Sequence, residues 1–191
     1  MSSYRNHLIF RTLSLILAGF SVVLAVSAIC ILAAEPDKGE KAPTEIMGAA
    51  AENTMVHLYF ARRNSFFLTA EPRSLLHSDD PPALADTIVN ALIKGPQRGL
   101  VNTIPAGTRL NAMYITPDGT CYVDLSAAVR KNHPGGSKSE LLTIYSMVNS
   151  LVLNVPEIKR VQILVDGNQA QTLAGHIDLQ LPFKANMLLI R

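Results

Sequence analysis

The sequence predicts an α+β fold: a mainly antiparallel sheet with two helices packed on one face, in the order β-β-α-β-β-α-β-β, preceded by one transmembrane helix. Three observations predict it. Apolar residues alternate with polar ones at Val56/Leu58/Phe60, Cys121/Val123/Leu125, Val161/Ile163/Val165 and Ile177/Leu179/Leu181, the period of half-buried strands. Two other segments carry apolar residues at helical spacing, Leu84/Ile88/Ala91/Leu92 and Leu141/Ile144/Tyr145/Val148/Leu151/Val152. Two helices on one face of a sheet bury both stripes in the simplest way. Finally, residues 12–34 run 23 positions without a charge.

As a helix, that N-terminal run is about 35 Å long, enough to cross a hydrocarbon core of about 30 Å. Residues 1–11 carry Arg5, His7 and Arg11, whereas Glu35, Asp37 and Glu40 follow the run. Positive charge on the short flank favours a cytoplasmic N-terminus, with the rest of the chain outside the membrane. A cleaved signal peptide would have a shorter apolar core and a better small-x-small site than Val26-Ser27-Ala28 or Leu32-Ala33-Ala34. A lipid anchor on Cys30 would want a small residue where Ile29 stands. An uncleaved single span is the preferred reading. Residues 35–54 hold Pro36, Gly39, Pro43 and Gly48 with five acids against two lysines, and read as a flexible linker of at most roughly 65–70 Å.

The outer domain, residues 55–191, opens with a strand over 55–60 and a polar turn at Arg62-Arg63-Asn64-Ser65. A short returning strand over 66–69 follows. Asp79-Asp80-Pro81-Pro82 is a helix start, an Asp cap with Pro at the first helical position, and Gly95-Pro96 is its stop. Segments 110–115 and 120–125 read as a hairpin around Pro117-Asp118-Gly119. Ser137 and Glu140 have the spacing of a capping box before the second helix. Strands at 161–165, closed by Asp166-Gly167-Asn168, and at 177–181 complete the order. The apolar tail 187–190 is either an added edge strand or a docking element.

Composition narrows the function. From residue 55 on, thirteen Lys/Arg face ten Asp/Glu, a formal +3 with no basic run, so nucleic acid is not the expected partner. Cys121 is the one cysteine of this domain, which excludes a disulfide framework and a zinc-finger pattern. The five histidines, at 7, 57, 77, 133 and 176, form no metal-binding spacing. No cofactor is implied.

Few residues of the domain have a pattern that suggests chemistry. His57 lies on the polar face of its strand. Ser126 has no Gly-x-Ser-x-Gly elbow around it and reads as a strand end. A glycosidase pair would need two of Asp124, Asp166 and Asp178 in one cleft, yet Asp166 reads as turn chemistry and the other two as outward-facing. Gly135-Gly136-Ser137 before a helix has the makings of an anion cradle, but lacks P-loop spacing and reads as a lead-in to the cap, with Lys138 isolated. Cys121 is a small core residue. Asn149 stands beside the apolar stripe and is expected to bond a neighbouring loop. Tyr145 should pack its ring and leave its hydroxyl at the rim.

Six pieces of this domain match a known family in order. They are Val56-His57-Leu58-Tyr59-Phe60, Ala91-Leu92-Ile93-Lys94-Gly95-Pro96, Ile104-Pro105-Ala106-Gly107-Thr108, Val123-Asp124-Leu125-Ser126, Ile144-Tyr145 with Val148-Asn149-Ser150-Leu151, and Val161-Gln162-Ile163-Leu164-Val165-Asp166-Gly167. The sequence resembles the GerMN domain, also called the sporulation and spore germination domain. The resemblance implies a non-catalytic module on the outer side of a bacterial membrane, in a family whose members include spore-envelope proteins. It supplies no catalytic, cofactor or metal residues. The chain departs from the family in carrying one copy and a poor lipobox.

The expectation is therefore a single-pass inner-membrane protein whose extracytoplasmic domain acts as an envelope scaffold or binding module. Its partner would be a cell-envelope protein or cell-wall material. Two rivals differ in kind: a cell-wall-directed hydrolase with a carboxylate/His cleft drawn from Asp124, Asp166, Asp178, His133 and His176, and a ring or filament subunit that self-associates through exposed strand edges.

Overall fold

The computed structural model describes residues 52–191. The expected flank, the membrane span and nearly all of the linker lie outside those residues. Among the described residues, no helix is long and apolar enough to cross a membrane.

Strands β1 (Asn53–Ala61) and β2 (Leu68–Leu76) form an antiparallel hairpin. The turn between them passes through Asn64 at φ 57°, a conformation that Asn tolerates better than most residues. The second strand, expected to end at residue 69, continues to Leu76. Helix α1 (Pro81–Lys94) starts and stops where the sequence places it. The Asp80 side chain makes no capping bond, however; the start rests on the fixed φ of Pro81 and Pro82. At the other end Gly95 takes φ 89°, which a side chain resists.

Strands β3 (Leu110–Ile115) and β4 (Thr120–Leu125) form the expected hairpin. Gly119 is required there twice over. Its φ is 84°, and a Cβ would stand 2.9 Å from the carbonyl oxygen of Glu157. Asp118 in the same turn accepts bonds from Thr116, Thr120 and Arg160.

A short helix α2 (Ala128–Lys131), not anticipated, leads to helix α3 (Ser137–Val152). Strands β5 (Arg160–Val165) and β6 (Asn168–Gln169) follow, and a 3-10 turn at Met187–Leu189 comes near the C-terminus.

The fold is α+β as expected, but the sheet is not single. β1 and β2 stand apart from a four-stranded sheet of order β3-β4-β5-β6, in which β4 and β5 run parallel. The parallel pair follows from the long connection through α3, since such a crossover returns the chain in the same direction. The expected final strand over 177–181 does not form. That stretch is irregular and is tied down by single contacts: Leu179 N–H to the Gln171 carbonyl at 2.8 Å, and a reciprocal pair between Val161 and Phe183. Gln180 N–H bonds the Asp178 carboxylate at 2.8 Å, and the residues just before the stretch are held by a carboxylate described below. The tail resolves as the 3-10 turn followed by one bridge from Ile190 to Leu68.

The separation of the sheets has a specific cause. Along the edge of β1 that faces away from β2, the bonds go to side chains of α3 and of the residues just past its end rather than to a strand. Asn154 accepts from His57 N–H at 2.9 Å and donates to its carbonyl at 2.8 Å. Ser150 accepts from Tyr59 N–H at 3.0 Å, and Ser146 donates to the Tyr59 carbonyl at 2.5 Å. Val101 N–H closes the row on the Ala61 carbonyl at 2.7 Å. Residues four apart on a helix share a line, and alternate residues on a strand share an edge, so the two spacings run alongside each other.

Helix α3 is consequently buried on more than its apolar stripe. Ile144, Met147, Val148 and Leu151 join Leu58, Phe60, Ile88, Leu92, Val123, Leu125 and Ile163 in the main core. Leu142 meets Tyr59, Ala61 and Leu68 in a smaller cluster. Tyr59, assigned by alternation to a polar face, is thereby covered. Each fully buried Leu, Ile or Phe contributes about 1.5–3 kcal/mol.

Candidate functional site

Among the described residues, no buried side-chain nitrogen or oxygen lacks a hydrogen-bond partner. The polar interior is therefore a set of closed circuits. The expected capping box is not one of them. The cap position of α3 is Gly136, and no side chain caps the helix. Glu140 turns inward instead and is fully buried. Its Oε1 accepts from the N–H groups of Leu173 and Ala174 at 2.8 and 2.9 Å, and its Oε2 from His176 N–H at 2.9 Å. His176 Nδ1 lies 3.2 Å from Oε2. Burial opposes ionisation of Glu140, but the backbone donors of residues 173–177 outweigh it and hold its pKa below the usual value.

His133 stands close enough to feel both Glu140 and His176, so two of the histidines considered in the sequence do come together. Burial is the largest influence on His133 and lowers its pKa; Glu140 opposes that and His176 adds to it. Its Nδ1 accepts from Gly135 N–H at 3.0 Å, which leaves Nε2 as the donor to the Thr143 hydroxyl at 3.2 Å. Thr143 donates in turn to the Thr103 carbonyl at 2.7 Å. Glu140 is an ionised acceptor saturated with N–H donors, and His133 is a neutral ring engaged on both nitrogens. Neither arrangement presents a proton-transfer group to a substrate.

The carboxylates of the hydrolase reading are each held by nearby backbone. Asp124 accepts from Gly167 N–H at 2.7 Å, Asp166 from Ala127 N–H at 3.0 Å, and Asp178 from Gln180 N–H at 2.8 Å. Asp166 adopts φ 47°, as its turn role predicts. Ser126 accepts from Arg109 N–H at 3.0 Å, the strand-end role assigned to it. His57 is exposed. Cys121 is buried, and burial pushes its thiol up to about 12, which removes it from thiolate chemistry. Among the described residues, no three His, Cys, Asp or Glu side chains are grouped to hold a metal ion.

Asn149 does what its position suggests. It is fully buried, donates to the Asn186 carbonyl at 3.1 Å and accepts from Asn186 N–H at 2.9 Å, tying the C-terminal segment to α3. The Tyr145 ring packs edge-on against Phe183 at 5.8 Å.

Sequence reasoning missed a second buried carboxylate. Glu71 on β2 accepts from Arg73 Nε at 2.6 Å, from Gln97 N–H at 3.0 and 3.1 Å, and from Arg98 N–H at 2.9 Å. Arg73 also donates to the Gly95 carbonyl at 2.7 Å. The signal available was a pair of charges two apart in a strand, Glu71 and Arg73, at positions that alternate into the core.

Two of the surface cavities carry charged side chains from more than one element. One, of about 370 Å³, is lined by the β1–β2 turn, residues 101–105 and the start of α3. The other, of about 570 Å³, lies between α2 and β6, with Arg130, Lys131 and Asp166 in its wall.

Comparison with known proteins agrees with the architecture. A search of curated protein sequences finds no match. Solved structures share the fold, among them the three that follow. The first GerMN domain of the sporulation protein GerM from Bacillus subtilis is 19% identical with a TM-score of 0.57, over 71% of this chain and 98% of that one. The tandem GerMN domains of the same protein are 21% identical with a TM-score of 0.56, over 69% of this chain. The chain spans 46% of that tandem structure, about half its length. A chain described as a lipoprotein from Clostridium perfringens is 23% identical with a TM-score of 0.50, over 70% of this chain and 88% of that one. The sequence model of the Germane family, described as sporulation and spore germination, matches residues 57–171, more than half of the chain. The chain therefore belongs to the Germane family, and its folded part is a GerMN-type domain.

Proposed function

We propose that this protein is a membrane-anchored, extracytoplasmic module of the bacterial cell envelope that binds another envelope protein or cell-wall material and catalyses no reaction. The observation that carries the reading is the family match over residues 57–171. Support for the location comes from the charge-free run at residues 12–34 and from two fold relatives, one a sporulation protein and one described as a lipoprotein. Support for the non-catalytic half of the reading comes from the engagement of Glu140, His133 and the three aspartates with backbone donors. A contribution to envelope assembly in sporulation or germination is the context that the family description suggests.

The test is crosslinking in native membranes with a tagged full-length chain, with crosslinkers at exposed positions such as Phe66 and Leu188, followed by mass spectrometry. The expected result is reproducible capture of one envelope protein or of wall fragments. Capture of the chain by itself alone would favour self-assembly. Turnover of wall material by the purified chain would overturn the non-catalytic reading.

A further inference from the structure

The cavity beside the β1–β2 turn combines three features that no hold on a loop requires. Its wall carries Arg62, Arg63 and Lys138 and no carboxylate. None of these three cations takes part in any of the four ion pairs found among the described residues. Lys138 instead sits 4.4 Å from the centre of the Phe66 ring, and that ring is 63% exposed. Three positive charges without an ion-pair partner among the described residues, set around one concavity, concentrate the field there and attract an anion.

The start of α3 adds donors to the same wall. Lys138 and Ser139 both line the cavity, and the helix begins at Ser137, after the cap position Gly136, with no capping side chain. Because Glu140 is drawn away to residues 173–176, the carboxylate that the sequence offers for this helix start is spent elsewhere. The uncapped first turn of α3, the positive end of the helix dipole, thus contributes Lys138 and Ser139 to the wall of a cationic cavity. The Gly135-Gly136-Ser137 lead-in, set aside in the sequence for want of P-loop spacing, here runs into a basic wall supplied by a distant hairpin.

We propose that this cavity binds a phosphate group carried on a small organic body. Three cations match a multiply charged phosphate better than a single carboxylate, and the planar guanidinium fork pairs well with phosphate oxygens. A volume of about 370 Å³ exceeds what one phosphate fills, and Ile104, Pro105, Pro134 and Leu142 give the remainder an apolar wall. The proposal does not depend on where the chain resides or on its protein partners.

The test uses the full chain in a maltoside detergent, which carries no phosphate. Glycerol phosphate and pyrophosphate are titrated at constant ionic strength, and NMR follows the amides of Lys138 and Ser139 and the Nε–H groups of Arg62 and Arg63. Saturable shifts with a dissociation constant of about 1 mM or tighter are expected. The double variant Arg62→Ala/Lys138→Ala should weaken binding by at least about tenfold, whereas Lys159→Ala, against a different cavity, should not. Both variants alter exposed or half-exposed side chains outside the core. Dihexanoyl phosphatidylglycerol, a soluble lipid, separates the sources. Tighter binding than glycerol phosphate assigns the phosphate to a lipid headgroup, and equal or weaker binding assigns it to a soluble or polymer-borne phosphate. Shifts that sodium chloride reproduces, that never saturate, or that persist in the double variant would overturn the proposal.

Discussion

Glu71 and Glu140 are the same device built twice with different backing. Each is a buried carboxylate that gathers neighbouring backbone N–H groups from a loop the sheets do not hold: residues 97 and 98 for Glu71, residues 173, 174 and 176 for Glu140. A run of N–H groups turned toward one anion is a compact way to satisfy irregular backbone. The backing differs. Glu71 pairs with Arg73, whose side chain is 9% exposed and permanently charged; Glu140 meets only the His176 ring, 46% exposed. Losing Glu71 therefore strands a buried charge, whereas losing Glu140 strands only backbone donors. The lesson is that the cost of removing a buried acid depends on what it leaves behind.

The comparison is sharpest in the variant Glu71→Gln, which should cost about 3–5 kcal/mol because the Arg73 guanidinium loses its counter-charge in the interior. Denaturant unfolding measures this. An equal or smaller loss than in Glu140→Gln would break the asymmetry. Glu140→Gln should cost less, about 1–3 kcal/mol, by setting an amide N–H₂ against the donors of residues 173–176.

The pH dependence of that second difference follows from the depressed pKa. Both glutamates titrate below their ordinary value of 4.5 when folded. Their stabilisation is complete above about 4.5 and is lost as pH falls through the folded value. His133, held below 6.5 chiefly by burial, acts in the same direction: its share is complete above 6.5 and is lost as pH falls through its lowered value. Stability should therefore decline on acidification, and Glu140→Gln should flatten the acid limb. Unfolding curves at stepped pH check this, and parallel limbs for variant and parent would contradict it.

A smaller effect separates the two faces of α3. Ser150→Ala should cost about 1 kcal/mol by orphaning the Tyr59 N–H at the closed edge of β1. Hydrogen exchange should show faster opening at Tyr59 than at strand positions bonded to β2. The smallest effect is expected for Asp118→Asn. Hydroxyl donation from Thr116 is the main reason its pKa lies at about 2, but its side chain is 57% exposed and water replaces much of what it gives. Its contribution is complete above the ordinary 3.8 and is lost as pH falls through about 2. A midpoint unchanged within error near neutral pH is the expected outcome.

What was legible in the sequence was local. Pro81-Pro82, Gly95 and the Asp118-Gly119 turn fix their elements within a few residues, and the structure places them where the pattern does. Asn149 was legible too, because a polar residue beside an apolar stripe must find a partner. The misreadings were all long-range. Ser137 and Glu140 have capping-box spacing, yet a loop more than thirty positions on competes for the same carboxylate and wins by supplying more donors. Alternation marked the strands but could not say which ones pair, so the separation of β1–β2 and the parallel β4–β5 pair went unread. The Ser146/Ser150/Asn154 row was visible as polar residues four apart, two in an apolar helix and one just past its end. Its meaning depended on a strand nearly a hundred residues away in sequence.

The central claim is that the buried acids of this domain are ionised and hold loops in place. The direct measurement is the titration of the Glu140 carboxyl by carbon-detected NMR in the full chain. A midpoint below the ordinary glutamate range, with the amides of Leu173, Ala174 and His176 shifting at the same pH, is the predicted result. A midpoint at or above that range, with those amides unmoved, would mean a proton held ready for transfer and would contradict the account.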